Sequence, residues 1–294
     1  MHGVSRFLCR NLNTVNRRGL SNTIRGDRSS VELSYDVFHE NTSSTKSPII
    51  VSHGLFGSRR NWRQLSKQMN MLTGRKVLTV DAVNHGESSH HPHMSFIDMA
   101  DDLIALIDRL EMETPLLVGH SMGGKTVMSA ALLHPQRFER LVVVDIAPEL
   151  SKSMGEIMNY LRAMADIDMT EITSRKMVEN KLKSVVPSQG LLGFLLSNLA
   201  KSPEGRFFWR VNMAAIEENY HYIHSFPEWD EGVQYMKPTL FIGGGRSYYI
   251  TEDEHPNIFK FFPAAEIVKI PDAGHWVHSE KPKEFLEAIG SFIS

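Results

Sequence analysis

The 294-residue chain has a single cysteine, Cys9, which rules out an internal disulfide and any cysteine-rich metal site. Nor does charge of either sign dominate. Thirty-two Lys and Arg stand against 34 Asp and Glu, a net charge of −2, so nothing calls for a nucleic acid or another polyanion as partner. No apolar run approaches the ~20 residues that a membrane-spanning helix needs. The richest, GLLGFLLSNLA at 190–200, is about half that length, and no transmembrane segment is expected. Metal-ligand spacing is missing too. His53 and His120 lack a carboxylate or third histidine in register, so supporting or packed roles fit them better, and neither a metal nor a cofactor is expected. There is no internal repeat and no low-complexity segment.

Acidic residues are absent from the first 26 positions. Arg6, Arg10, Arg17, Arg18 and Arg25 precede Asp27, with Phe7, Leu8, Leu12 and Val15 spaced among them, a pattern that suits a basic amphipathic helix. A secretory signal would need an uninterrupted apolar stretch. Residues 1–26 therefore read as a targeting segment directing the chain to the mitochondrial matrix, with RGLS at 18–21 suggesting cleavage after Leu20.

What the chain does have is an ordinary globular balance, 41% hydrophobic and 22% charged, enough to bury a full core. From Val31 onward, short β-type runs end at Val51, Val80, Val118 and Val144. Between them, SFIDMADDLIALIDRL places Met99, Leu103, Leu106, Ile107 and Leu110 on one helical face. Strands that are apolar throughout and separated by amphipathic helices imply an α/β fold, a mostly parallel sheet covered on both faces. After Pro148 the alternation stops. Residues 149–231 read as several helices with no convincing strand, and KPTLFIGGG then resumes the sheet, followed by AEIVKIPDAGH and a closing helix. The expected organisation is a core of 31–148 and 232–294 interrupted by a helical cap insertion, 149–231. The Gly243–Gly245 run lacks the G-x-G-x-x-G spacing of a dinucleotide loop and reads as a close-approach turn.

GHSMGGKT at 119–126 admits two readings. As G-x-x-x-x-G-K-[ST] it is a phosphate loop using Lys125 and Thr126, with Asp145 at the end of LVVVD available to hold magnesium; as G-x-S-x-G it presents Ser121 on a nucleophile elbow. Several strands precede it, whereas phosphate loops usually open their fold. The elbow reading also accounts for HGLFGS at 53–58, a glycine-bearing loop after a strand. With the residue following the nucleophile, that loop supplies backbone donors for an oxyanion, here Leu55 and Met122. Gly119 and Gly123 are small where strand and helix must pass closely. DAGHWVH supplies a base, His275, ahead of His278. For the acid, Asp145 stands at the end of the strand expected beside the nucleophile strand, with Glu252 or Asp253, or an acid in the insertion, as alternatives.

With DAVNHGESS at 81–89, these motifs resemble the α/β-hydrolase superfamily from about residue 31 to the C-terminus. The match departs at Val83, where an Arg is common. Together with VDIAP and GRFFWRVN, the set is similar to a mitochondrial, diacylglycerol-lipase branch of that superfamily. The resemblance implies a serine hydrolase of acyl esters and association with the 2-oxoglutarate dehydrogenase complex. An insertion after Asp145 lies over the carboxyl ends of the strands, so Phe194, Leu195, Phe207, Phe208 and Trp209, with Phe56 from HGLFGS, are candidates to line an acyl pocket, although they could equally form the insertion's own core. The cap methionines admit the same two readings. A thioesterase or small-ester hydrolase, a nucleotide hydrolase and a non-catalytic partner protein of a mitochondrial complex remain open alternatives.

Overall fold

The structure, a computed structural model, describes residues 29–39, 45–149, 154–186 and 188–293. The expected targeting segment, its cleavage site and Cys9 lie outside them. In chain order the strands and helices are β1 (Tyr35–Phe38), β2 (Ile49–Ser52), α1 (Arg63–Thr73), β3 (Val77–Val80), α2 (Phe96–Arg109), β4 (Leu116–His120), α3 (Met122–Leu133) and β5 (Leu141–Val144). The intervening segment holds α4 (Met154–Ala165), α5 (Arg175–Leu182), α6 (Gln189–Leu196), β6 (Leu199–Lys201), β7 (Phe207–Trp209), α7 (Met213–Glu218) and α8 (Tyr220–His224). The chain closes with β8 (Thr239–Gly244), α9 (His255–Phe261), β9 (Ala265–Ile270), α10 (Val277–Glu280) and α11 (Pro282–Ile293).

Seven strands form one sheet in the order β1-β3-β2-β4-β5-β8-β9, with β1 antiparallel to β3 and every other neighbouring pair parallel. The strands from β2 to β5 are buried on both faces, which is why they read as unbroken apolar runs. One face packs on α2 and α3 through Leu103, Ile107, Val127 and Ala131, the other on α1 and α11 through Leu65, Met69, Phe285 and Ile289. Helix α2 starts where its sequence says it should. Ser95 accepts the Asp98 N–H at 3.1 Å and returns its hydroxyl to the Asp98 carboxylate at 2.7 Å.

The strand order reverses between β2 and β4, the place where a parallel sheet opens a crevice at its carboxyl edge. Loops leaving β2, β4, β5, β8 and β9 therefore follow one another along that edge.

Within 149–231 the sequence expectation of helices alone is corrected near the middle. GLLGFLLSNLA is not one helix, because α6 stops at Leu196 and Leu199–Lys201 pairs antiparallel with Phe207–Trp209. Gly205, at φ 87°, makes the turn, and the Ser202 N–H closes the hairpin on the Arg206 carbonyl at 2.8 Å. Three-residue strands are too short to display a period of two in sequence. The described residues of the segment share a core with the rest. Met158, Leu161, Met164, Leu195 and Ile216 pack in one cluster with Phe56, Val83, Met94, Phe96 and Met122 from the sheet's carboxyl edge.

Candidate active site

Between β4 and α3 the chain turns on Ser121, held at φ 53° and ψ −115°, a conformation that L-residues rarely adopt. The turn is held by the Ser121 N–H donating to the Val144 carbonyl at 3.0 Å. Its tightness explains the flanking glycines. A Cβ on Gly119 would stand 2.3 Å from the Gly123 carbonyl oxygen, and one on Gly123 would stand 2.3 Å from that of Ser52. Backbone cannot yield there as a side-chain end would.

Asp145 follows β5 directly, also at positive φ, 50°, and is fully buried. Its carboxylate accepts the Gly244 N–H at 2.9 Å, the Ser247 hydroxyl at 2.5 Å and the His275 Nδ1–H at 2.8 Å. A buried carboxylate needs such donors, and these fix its plane. Because β8 lies beside β5 and β9 beside β8, Gly244 and His275 arrive from neighbouring strand ends. Gly244 has to be glycine, since a Cβ would sit 2.3 Å from the Gly274 carbonyl. The His275 ring lies 4.3 Å from that of Tyr249 and 4.7 Å from that of His120, centroid to centroid. His120 also ties the loop down, donating through Nε2 to the His275 carbonyl at 2.9 Å. Burial holds the His120 ring well below its ordinary range, so it is neutral at pH 7.

The 53–58 loop is held from beneath. His53 donates through Nδ1 to the Gly54 carbonyl (2.8 Å) and accepts the Ala82 N–H (3.1 Å); His85 donates to the Val83 carbonyl (2.9 Å) and accepts the Phe56 N–H (3.3 Å). Burial pushes the His85 ring down to about 3, so it stays an acceptor at neutral pH. Asp81 pins the far end, accepting the Arg59 N–H at 2.6 Å and the Glu87 N–H at 2.9 Å and pairing with the Arg59 guanidinium. Thus DAVNHGESS braces HGLFGS. Gly86 is required because a Cβ would overlap the Asp81 carboxylate.

Above these groups lies a cavity of about 290 Å³, lined by Leu55, Phe56, Ser121, Ile157, Tyr160, Leu191, Phe194, Tyr249, His275 and Trp276 among others. Glu156, Arg246 and Ser247 add polar groups at its wall. A second chamber of about 20 Å³ adjoins it through Leu55, Ser121, Ile157 and Tyr249, and Met122 borders that one.

A family model described as the alpha/beta hydrolase fold matches residues 47–282. The chain belongs to the α/β-hydrolase family. It is 41% identical over 292 residues to a Danio rerio protein named sn-1-specific diacylglycerol lipase ABHD11, covering 98% of this chain and 90% of that one. With the Mus musculus protein of the same name it shares 43% over 266 residues, 89% and 85% of the two chains. With Esterase YbfF of Escherichia coli it shares 33% over 253 residues, 84% and 93%. Among solved structures, a marine microorganism esterase superposes with a TM-score of 0.83 at 35% identity, over 90% of this chain and all of that one.

Against this α/β-hydrolase frame, the residues singled out from sequence divide clearly. Ser121, His275, Leu55, Phe56 and Phe194 line the main cavity, Asp145 lies buried behind it against His275, and Met122, first in α3, borders the smaller chamber. Phe208 and Trp209 do neither. Alternate residues of a strand face opposite ways, so β7 turns Phe207 and Trp209 toward the insertion's apolar cluster and leaves Phe208 44% exposed. Trp209 spends its N–H on the Met164 carbonyl at 3.1 Å. Glu252 and Asp253 are exposed before α9, and His278 is buried in α10, stacked 4.1 Å from Trp62. The phosphate-loop reading loses its two side chains: Lys125 is buried against backbone carbonyls, and the Thr126 hydroxyl donates to the Met122 carbonyl at 3.0 Å. Sequence reasoning gave His120 a supporting or packed role and missed Ser247 and His85 as supports. Ser247 carries one signal in sequence, a hydroxyl in the loop after β8.

Proposed function

We propose that this chain is a serine hydrolase of carboxylic esters, with diacylglycerol as the substrate class suggested by its relatives' names. The Asp145–His275 contact of 2.8 Å carries the reading, because it fixes the imidazole tautomer that a serine nucleophile requires. Ser121 attacks the ester carbonyl while His275 Nε2 takes its proton. The tetrahedral oxyanion meets the N–H groups of Leu55 and Met122 at the positive end of α3. His275 then protonates the leaving alcohol, an acyl-Ser121 ester remains, and water activated by the same ring releases the acid. Ser247 donates to Oδ2 of Asp145, the oxygen that also accepts from His275, while the Gly244 N–H holds Oδ1, and together they orient the pair.

In this reading residues 149–231 act as a cap whose α4 and α6 supply Ile157, Tyr160, Leu191 and Phe194 to the acyl cavity. Each buried methylene would contribute ~0.8 kcal/mol of binding. The basic, acid-free stretch before Asp27 supports import into the mitochondrial matrix. An association with the 2-oxoglutarate dehydrogenase complex is carried only by the resemblance.

A fluorophosphonate probe should label the wild-type chain and fail to label Ser121→Ala, whose kcat falls by ~10³-fold or more. Wild-type esterase activity persisting in that variant would end the proposal. A series of p-nitrophenyl esters tests the substrate class: kcat/KM falling steadily beyond the shortest acyl chains would favour a small ester or thioester over a lipid.

A further inference from the structure

Lys125 stands one turn beyond Ser121 on α3, its N–H donating to the Ser121 carbonyl at 3.1 Å, and its side chain has no exposed surface. A methionine would fill such a space without the cost of burying an ammonium, so its hydrogen bonds are informative. Nζ donates to the Glu149 carbonyl at 2.5 Å and to the His224 carbonyl at 3.0 Å, and stands 5.5 Å from the centre of the Phe96 ring. Glu149 is where the chain leaves the sheet after β5; His224 ends α8, the last helix before the chain returns to β8. One ammonium on the helix of the candidate nucleophile therefore grips both ends of the inserted segment. It does so through backbone carbonyls, whose positions define where the segment starts and stops. Burial lowers the ammonium to about 7, and the Glu149 carboxylate opposes that shift. The small chamber beside Ser121 has Ile157 of α4 and Ile223 of α8 in its wall, so a shift of the segment's ends reaches the space next to the nucleophile.

We propose that Lys125 is a positioning residue that ties both ends of the 149–231 segment to α3 and so sets the distance between the cap wall of the acyl cavity and Ser121. The kinetic consequence rests on the serine-hydrolase reading; the tether itself does not. Lys125→Met keeps the volume and removes the donors. Its kcat/KM on p-nitrophenyl acetate, too small to need the cap, should stay within ~3-fold of wild type. On a long-chain ester it should fall ~10-fold or more, with the loss in KM and fluorophosphonate labelling of Ser121 retained. Equal losses in kcat on both substrates would assign Lys125 to the reaction itself and overturn the proposal, as would no loss on either.

Should the variant fail to fold, hydrogen exchange on the wild-type chain decides. Amides at 145–149 and 222–226 should open together, with one dependence on denaturant, while independent opening of the two ends would refute the tether. Absence of probe labelling on wild-type Ser121 would instead defeat the serine-hydrolase reading and leave the exchange experiment intact.

Discussion

Replacing Asp145 by asparagine perturbs one atom and tests the whole hydrogen-bond arrangement. The wild-type carboxylate accepts three donors, the Gly244 N–H at 2.9 Å, the Ser247 hydroxyl at 2.5 Å and the His275 Nδ1–H at 2.8 Å. An amide has one oxygen to offer. The Gly244 donor is backbone on a sheet strand and cannot turn away, so the amide oxygen goes to it and the NH₂ faces Ser247 and His275. The Ser247 hydroxyl can rotate and accept. His275 can accept at Nδ1 only with its proton moved to Nε2, and that tautomer has no lone pair toward Ser121. The reversed amide would set two buried donors against each other at Gly244, which is no better. Loss of the base should lower kcat by about 10³- to 10⁴-fold, or roughly 4–5.5 kcal/mol on the barrier at ~1.36 kcal/mol per tenfold. KM should change little, because Asp145 has no exposed surface for substrate to touch. Steady-state hydrolysis of p-nitrophenyl butyrate at neutral pH measures the ratio, with a thermal melt to verify folding. A kcat above about one tenth of wild type would refute the assignment of Asp145 as the acid.

Gly123→Ala would press a methyl group against the Ser52 carbonyl oxygen, 2.3 Å from the ideal Cβ position, and should destabilise the chain by about 1–3 kcal/mol or more; an unchanged urea midpoint would contradict the close-approach account. Acid should unfold the protein early. Burial pushes His85 and His278 down to about 3 and lowers His53 and His120, whereas in the unfolded chain each titrates near 6.5. The unfolded chain thus binds more protons than the folded one as the pH falls below about 6.5. For His85 and His278 the contribution to stability is full above about pH 6.5 and is lost toward pH 3, at about 1.4 kcal/mol per pH unit for each, and His53 and His120 act in the same direction; a urea midpoint that stays flat on acidification to about pH 5 would contradict this. Ser247→Ala, leaving Asp145 two of its donors, should lower kcat about tenfold with the fold intact, and an unchanged kcat would remove Ser247 from the orienting role. Incubation with energised mitochondria should remove about the first 20 residues, and a product that keeps Met1 would refute import and cleavage.

The sequence by itself determined the α/β fold, because strands buried on both faces must be apolar throughout and helices that cover them must be apolar every third or fourth residue. It also marked the close passages, where Gly119 and Gly123 stand because strand, turn and helix leave no room for a Cβ. It put Ser121, Asp145 and His275 each in the turn or loop that follows a strand, since those positions depend only on local periodicity. Tertiary structure decided what those ends meet. Strand order sets β5 beside β8 and β8 beside β9, and only that adjacency selects Asp145 over Glu252 or Asp253 as the carboxylate against His275. The same holds for the supports His85, His120 and Ser247, whose partners lie far along the chain. In the insertion, β6 and β7 pair across a short turn in a hairpin too brief to show alternation, and the facing of that hairpin turned Phe208 outward and Trp209 away from the cavity. Lys125 is the plainest case. Its neighbours in sequence suggested a phosphate ligand, and burial against two distant carbonyls removed it from that role, because where a charged group ends up is decided by what packs around it and not by the motif that contains it.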